Sequence, residues 1–313
     1  MARVSIVIPV YNGAATVAHA VDSALGQRFD PGFDVIVVDD GSTDATTATL
    51  AGFGDRIRVV TQGNRGPAAA RNTGAAIARG EYLAFLDADD VFLPGKLAAS
   101  APLLDDLSAA VLVFHDAVVV DASGIEVARS YVPPSMAHAP SMAELLERWW
   151  PIIPSTALIR RRTFEACGGF VEEFHSAAYE DPLLWLMARE HGEFRYVAEP
   201  LARYRMEPAA ARMEKYVRAQ DVFIRRVRER YGAAARGLIR STRRAYASAL
   251  GYEALQLMHA GERAAARRYL ARALRREPAD FRIAMRLLRT FLPTRLARAL
   301  SGRTHDQSPA ADA

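Results

Sequence analysis

Apolar runs that break off abruptly into polar tips, with helical spacing behind them, dominate the first hundred residues of this chain. Val4–Val10 (VSIVIPV) ends in Tyr11, Asn12 and Gly13, and Ala14–Gln27 then places Val17, Val21, Ala24 and Leu25 on one helical face. Phe33–Val38 ends in Asp39, Asp40, Gly41, Ser42, Thr43 and Asp44, the last three able to cap a helix over Ala45–Phe53. Ile57–Thr61 is followed by a Gly-rich turn (Gly63, Asn64, Gly66, Pro67) that opens an alanine-rich helix carrying Arg71 and Asn72. Tyr82–Leu86 ends in Asp87, Asp89 and Asp90; Pro94 closes the turn, and a helix can begin within Val91–Ala101. Apolar runs without alternation mark strands covered on both faces. Regular strand–helix alternation predicts an α/β fold, a mainly parallel sheet sandwiched by helices. Ligands of such sheets lie beyond the carboxyl ends of the strands. One crevice should therefore collect Tyr11, Asp39, Asp40 and Asp87 to Asp90.

Carboxylates this close repel one another, and a site that keeps them ionised supplies a cation. Oxygen donors with no Cys or His nearby select a hard divalent ion, Mg²⁺ or Mn²⁺. An acidic loop that merely caps the next helix is the plainer use of the same residues. No G-x-G-x-x-G follows the first run and no GK[ST] loop occurs, which sets aside a dinucleotide-binding oxidoreductase and Walker-type phosphate sites. The stretch YNGAATV has no Lys or Arg, unlike the basic Gly-rich loop expected of a nucleotidyltransferase. The tips offer instead a ring to stack on a base, carboxylates for a ribose, and a place for a cation on a diphosphate.

The 313 residues, half of them apolar, suffice for one large α/β domain and a smaller appendage. The one cysteine, Cys167, excludes a disulfide framework and a Cys-rich zinc site and fits a reducing compartment. Val4–Val10 is too short for the apolar core of a signal peptide, and no apolar stretch of about 18 residues occurs. A cytoplasmic protein is expected, with peripheral contact at the inner face of the membrane as an option. The net charge of +4 hides an asymmetry: residues 212–303 hold 23 Lys and Arg against 7 Asp and Glu, so the remainder is net acidic. Such a basic region suits an anionic surface or the acidic body itself, and solvated helix faces would give the same count.

Further along, Ala109–Val120 reads as a strand containing His115 and Asp116, read as a satisfied structural pair, with Ile125–Tyr131 as its hairpin partner. Trp149 and Trp150 are adjacent, as a stacking platform for a sugar or as core. Tyr179, Glu180 and Asp181 precede Pro182–Glu190, where Leu183, Leu184, Trp185 and Met187 have helical spacing. Pro182 suits the first helical position, which puts Asp181 at the N-cap.

VSIVIPVYNGAATV, VVDDGSTD, NRGPAAARNTG and FLDADDVFLP, in this order and spacing, resemble the glycosyltransferase family 2 pattern, and the similarity runs from Met1 to about Arg205. The resemblance implies a GT-A fold and an inverting, metal-dependent enzyme of the hexosyltransferase type with a nucleotide-sugar donor. It implies that Pro9, Tyr11 and Asn12 face the nucleotide, with Tyr11 on the base. Asp40, with Asp39 beside it, would contact base and ribose, and Arg71 would lie near the nucleotide. Asp89 would hold the divalent ion on the diphosphate, beside Ala88, with Asp87 on the ribose or the metal's water shell. Glu180 and Asp181, opening a helix with Trp185 downstream, would supply the catalytic base, and Trp149, Trp150 and Trp185 are acceptor-side candidates. Structural alternatives stand beside these roles: packing for Tyr11, capping for Asp39, Ser42 and Asp181, and an ion pair for Arg71. The chain departs from the family pattern at Val171, before Glu172, where an acid is common, and at Met206 and Glu207, where a His often follows the Tyr204-Arg205 pair. Both departures bear on acceptor binding and on further diphosphate contacts.

Beyond residue 210 the pattern is helical. Leu250, Ala254, Leu257, Gly261, Ala266, Leu270, Ala273 and Pro278 match one tetratricopeptide-like helix pair, which cannot bury its own face and should pack on the body. Phe281–Leu300 sets Arg282, Arg286, Arg289, Arg295 and Arg298 among apolar residues, as on a membrane surface or in ordinary packing. The expected organisation is a catalytic domain over 1–210, a basic helical extension over 211–303 and a disordered tail over 304–313. The expected function is transfer of a sugar from a UDP-sugar to a saccharide or lipid-linked acceptor, as in cell-surface polysaccharide or glycoconjugate synthesis, with no nucleic acid partner. The alternative is a protein that binds nucleotide sugars or glycans without turnover, its basic helices serving a partner. Asp89 and Asp181 together favour catalysis.

Overall fold

The computed structural model describes residues 2–174, 178–207 and 209–291. The predicted alternation is present as β1 (Val4–Val10), α1 (Val17–Leu25), β2 (Phe33–Asp39), α2 (Thr46–Ala51), β3 (Arg58–Thr61), α3 (Pro67–Ile77) and β4 (Tyr82–Phe85). β5 (Val91–Phe92), α4 (Lys96–Asp105), β6 (Ala110–Val120), β7 (Glu126–Ala128), α5 (Met142–Glu147), β8 (Ala157–Arg160), α6 (Arg161–Ala166), α7 (Glu180–Arg189) and β9 (Glu193–Arg205) complete the body. Four helices follow: α8 (Ala209–Tyr231), α9 (Arg236–His259), α10 (Arg263–Arg276) and α11 (Phe281–Arg289).

The sheet runs β3-β2-β1-β4-β8-β6-β9-β5, with β7 on β6. β3, β2, β1 and β4 are parallel to one another, as the apolar runs predict, and β1 is buried along its whole length. The second half is mixed: β8 is antiparallel to both neighbours, β6 and β9 are parallel, and β5 returns antiparallel on β9. Val91 and Phe92 are therefore a short strand, and the helix expected within Val91–Ala101 starts only at Lys96, after the Pro94-Gly95 turn. The alanine-rich α3 lies close on the sheet; a Cβ at Gly74 would stand 2.4 Å from Val7 Cγ1. That contact leaves room for no side chain and fixes the height of Arg71, one turn earlier on the same helix.

His115 and Asp116 are both buried, but they do not pair through their side chains. His115 Nδ1 donates to the Asp116 carbonyl at 2.7 Å, and Lys96 Nζ donates to Nε2 at 2.8 Å. The Asp116 carboxylate instead accepts the Tyr131 and Val132 amides, which ties the segment after β7 to the sheet.

The core does not stop at residue 210. Ala219, Phe223, Ile224 and Val227 of α8 belong to the same cluster as Phe85, Phe170, Tyr179 and Trp185 of the body. A separate cluster, Tyr246, Leu250, Ala254, Ala266, Leu270, Ala273 and Ile283, joins α9, α10 and α11, so a third helix, not the body, covers the face of the expected helix pair. Arg226 with Glu173 and Arg230 with Glu190 tie the basic helices to the acidic body. Arg295, Arg298 and the expected 304–313 tail lie outside the described residues.

Candidate active site

A crevice of about 430 Å³ opens beyond the carboxyl ends of β1 and β4. Its lining has two sources: Pro9, Tyr11, Asn12, Arg71, Asp87, Ala88 and Asp89 come from the strand ends and α3, and Trp149, Tyr179, Glu180, Asp181 and Pro182 from the segment after α5 and the start of α7. Tyr11 leaves half its surface to solvent (49%), so its ring face is available for stacking. Asn12 adopts φ 51°, and its Oδ1 accepts the Thr43 amide, which holds the β1 tip against the β2 tip.

Asp39 and Asp40 are not part of this lining. Both are buried at the end of β2. Asp39 accepts from the Ser42 amide and the Thr47 hydroxyl, but it does not cap α2, whose N-cap Ala45 has no side-chain cap bond. Asp40 accepts from Gln62 Nε2 at 2.7 Å and from the Arg65 and Gly66 amides at 2.9 and 2.7 Å. A carboxylate holding that many donors is satisfied by the turn between β3 and α3. Trp150 and Trp185 are likewise core side chains, and the Trp185 indole donates to the Ile152 carbonyl. Of the three expected acceptor-side tryptophans, Trp149 alone reaches the crevice.

Arg71 ties the two sources of the lining together. Its guanidinium is buried, donates to Asp87 Oδ1 at 2.6 Å and to Glu180 Oε1 at 2.9 Å, and lies 5.2 Å from the centre of the Phe170 ring. Phe170 is itself clamped by Asn72, which bonds both its amide and its carbonyl at 2.9 Å. Gly169 makes this possible: at φ 74° a Cβ there would fall 2.6 Å from Asn72 Oδ1.

Asp181 does not cap its helix. α7 begins one residue earlier, at Glu180, behind Tyr179 in the left-handed region (φ 68°). The Tyr179 ring is held by Tyr216 and Phe223 of α8, at 5.1 and 4.8 Å between centroids. This aromatic anchor fixes the direction in which Glu180 and Asp181 leave the turn. Glu180 is consumed by Arg71 through one oxygen, while its second oxygen is buried without a partner. Asp181 is the carboxylate of the pair left facing the crevice. Burial and the neighbouring Glu180 hold it well above the usual carboxylate range, against the pull of Arg71.

Sequence reasoning missed Ser155 behind the acidic loop, and Tyr131 and Tyr216 at the crevice. Ser155 is buried; its hydroxyl accepts the Asp87 amide at 3.1 Å and donates to Asp90, and its carbonyl accepts from Lys96 at 3.0 Å. Asp90 also accepts the Arg205 amide at 2.8 Å, so it joins the loop to the end of β9 rather than to a ligand. Tyr131, Tyr204, Arg205, Glu207 and Tyr216 complete the rim. A serine before a strand carries no signal of such a role, and the rim residues come from three separate segments.

Residues 5–168, just over half of the chain, match the family described as glycosyl transferase family 2. The chain belongs to glycosyl transferase family 2. Among curated relatives, the succinoglycan biosynthesis protein ExoO of Rhizobium meliloti is 37% identical over 142 residues, 44% of this chain and 40% of that protein. ExoU of the same organism, also a succinoglycan biosynthesis protein, is 48% identical over 98 residues, 30% of this chain and 28% of its own. An uncharacterized glycosyltransferase of Rickettsia prowazekii is 40% identical over 104 residues, and the match spans about a third of that relative's length. The structure of S. aureus TarS in complex with UDP superposes with a TM-score of 0.56 at 18% identity, covering 98% of this chain and 93% of that one. The α/β fold of the GT-A class, with its helical C-terminal region, is thus the fold of this family 2 protein.

The acidic loop fits a divalent cation of one kind. Among the described residues no group of three or more His, Cys, Asp or Glu is placed to hold a metal by itself. The protein offers Asp89, and Asp87 through the oxygen not taken by Arg71. A cation bound there would draw its remaining ligands from phosphate and water, the mode typical of Mg²⁺. Burial, Asp87 and Glu207 push the Asp89 carboxyl up to about 6, with Arg205 opposing them. That is the mark of an anionic pocket that a positive charge would relieve.

Proposed function

We propose that the chain is an inverting glycosyltransferase that moves a sugar from a UDP-sugar to a hydroxyl of a saccharide or lipid-linked acceptor during polysaccharide synthesis. The observation that carries this reading is that Tyr11, Asp89 and Asp181 line one and the same crevice. Tyr11 stacks on the base, and Asp89, with Asp87, would hold a divalent cation at the diphosphate. A bound Mg²⁺ or Mn²⁺ supplies stabilisation of the charge that develops on the departing nucleotide diphosphate. Asp181 takes the proton from the acceptor hydroxyl as its oxygen attacks C1 from the face opposite the leaving group. The proton passes to the carboxylate, the C1–O bond to the acceptor forms as the bond to the diphosphate breaks, and the anomeric configuration inverts. The raised proton affinity of Asp181 suits a base, and Glu180 acts by fixing Arg71. The names of ExoO and ExoU support a polysaccharide acceptor, and the UDP of the TarS complex supports the donor class.

Thermal unfolding across a panel of nucleotides, with Mn²⁺ or chelator, tests the donor site, since a ligand of the folded state raises the midpoint. The expected result is a shift with UDP that requires the metal. No shift with any nucleotide in the presence of Mn²⁺ would count against this reading and favour a glycan-binding protein without turnover.

A further inference from the structure

Ile283 and Leu287 turn inward from α11 and pack on the α9–α10 cluster, as one amphipathic face should. The opposite face is also apolar. Phe281 is 73% exposed, and Leu288, two turns later on the same side, is 60% exposed. Phe291, just past the helix, is 63% exposed and extends the row. Large apolar side chains seldom stand in a contiguous exposed row without a partner.

Arginines stand beside this crest. Arg282 is exposed beside Phe281. At the other end Arg267 of α10 lies 4.2 Å over the Phe291 ring, held there by a 2.9 Å bond to the Thr290 carbonyl. The nearby Asp280 is occupied as the N-cap of α11, accepting from the Arg282 and Ile283 amides. Arginines thus stand at both ends of an apolar row, in a region where Lys and Arg outnumber Asp and Glu by 23 to 7.

We propose that this face of α11 docks on an anionic lipid bilayer. A bilayer interface accepts Phe and Leu among its acyl chains while its phosphates receive the guanidinium groups. A nucleic acid would take the arginines but leave the three apolar side chains in water. A second copy of the same face would bring arginines towards arginines. The helix lies rather than inserts: among the described residues no helix is long and apolar enough to cross a membrane. The surface is independent of the sugar-transfer reading, since none of its residues lines the crevice.

The test is sedimentation of the full chain with phosphatidylcholine vesicles, with and without phosphatidylglycerol. The wild type should bind the anionic vesicles and release them as salt is raised. Phe281→Ser, Leu288→Ser and Phe291→Ser combined should weaken binding at least about tenfold. Arg282→Gln or Arg267→Gln should weaken it about fivefold each. For Arg282→Gln the midpoint of unfolding should stay at the wild-type value, and for every variant turnover on a soluble acceptor should too, so failure of the transferase assignment would show separately. The proposal is overturned by a wild type that ignores anionic vesicles, by a triple variant that binds them as tightly, or by a chain that uses the crest to dimerise or to bind nucleic acid instead.

Discussion

The two walls of the crevice are built by different means. The donor wall hangs from the ends of parallel strands, and its fastenings are hydrogen bonds from one strand tip to the next: Asn12 takes the Thr43 amide, Ser42 accepts the Asn12 amide, and Asp40 gathers the Arg65 and Gly66 amides. The other wall is the first turn of α7, and its direction depends on a Tyr179 ring gripped by Tyr216 and Phe223, which belong to a helix in the C-terminal region. Arg71 bonds to a carboxylate of each wall. One wall is fastened by hydrogen bonds to amides of neighbouring strand tips and the other by ring packing on α8, which makes the helical extension part of the site's construction.

The sharpest test of that division is functional. Asp181→Asn should lower kcat by about 10²- to 10⁴-fold, the usual contribution of a positioned base, and leave metal-dependent UDP binding intact. Asp89→Ala should do the reverse in binding and abolish the stabilisation by UDP with Mn²⁺. Identical behaviour of the two variants in both assays would break the comparison. Phe223→Ala should cost about 3–5 kcal/mol of stability, the range for removing a buried ring, and lower kcat further than it weakens UDP binding. Calorimetric unfolding together with steady-state kinetics separates these effects; equal losses in binding and turnover would mean that α8 supports both walls.

The acidity of the crevice gives a pH test. Asp89 is raised from 3.8 to about 6, and burial raises Asp90 and Asp181 well above the usual range as well. Between the ordinary value and the raised one the folded state holds protons that the unfolded chain has released. Stability therefore falls as pH rises through that window. Asp89 alone should contribute a loss of at most about 3 kcal/mol between pH 4 and pH 7, with Asp90 and Asp181 extending it upward. In chelator the unfolding midpoint should decline from pH 5 to pH 7.5, and Mn²⁺ should flatten the decline. A midpoint that rises over this range would show that the carboxylates are already neutralised within the protein.

The difference between the walls also explains what the sequence reveals. β1, β2 and β4 are legible because unbroken apolar runs must be covered on both faces, and Tyr11 and Asp87 to Asp89 are legible because such runs deliver their ends to one edge. The same reasoning places Asp39 and Asp40 in the crevice, and there it fails: whether a strand-end carboxylate faces a ligand or the turns beside it depends on which amides stand nearby, here those of Ser42, Arg65 and Gly66. Helical spacing cannot say that Trp185 turns inward to Ile152 while Asp181 stays open, nor that Tyr179 adopts a left-handed turn. That turn is held by Phe223, 44 residues along the chain, and no local pattern links the two.

Ser155 offers the smallest and most discriminating perturbation. Its hydroxyl lies under the donor wall alone, accepting the Asp87 amide and donating to Asp90, and it has no hydrogen bond to α7. Ser155→Ala removes one bond from each, leaving the Asp87 amide unpaired and Asp90 with the Arg205 amide. Loss of a buried partner costs about 1–3 kcal/mol, and the acidic loop should become less well placed for a cation. The Mn²⁺ concentration needed for UDP binding should rise several-fold, while kcat at saturating donor and metal should stay near wild type, because Asp181 is untouched. The converse result, a fall in kcat with UDP affinity unchanged, would mean that strain at the strand end passes through Arg71 to Glu180 and on to Asp181. The walls would then be a single unit with Arg71 as its hinge, and their separate origins in the sequence would say nothing about how they act.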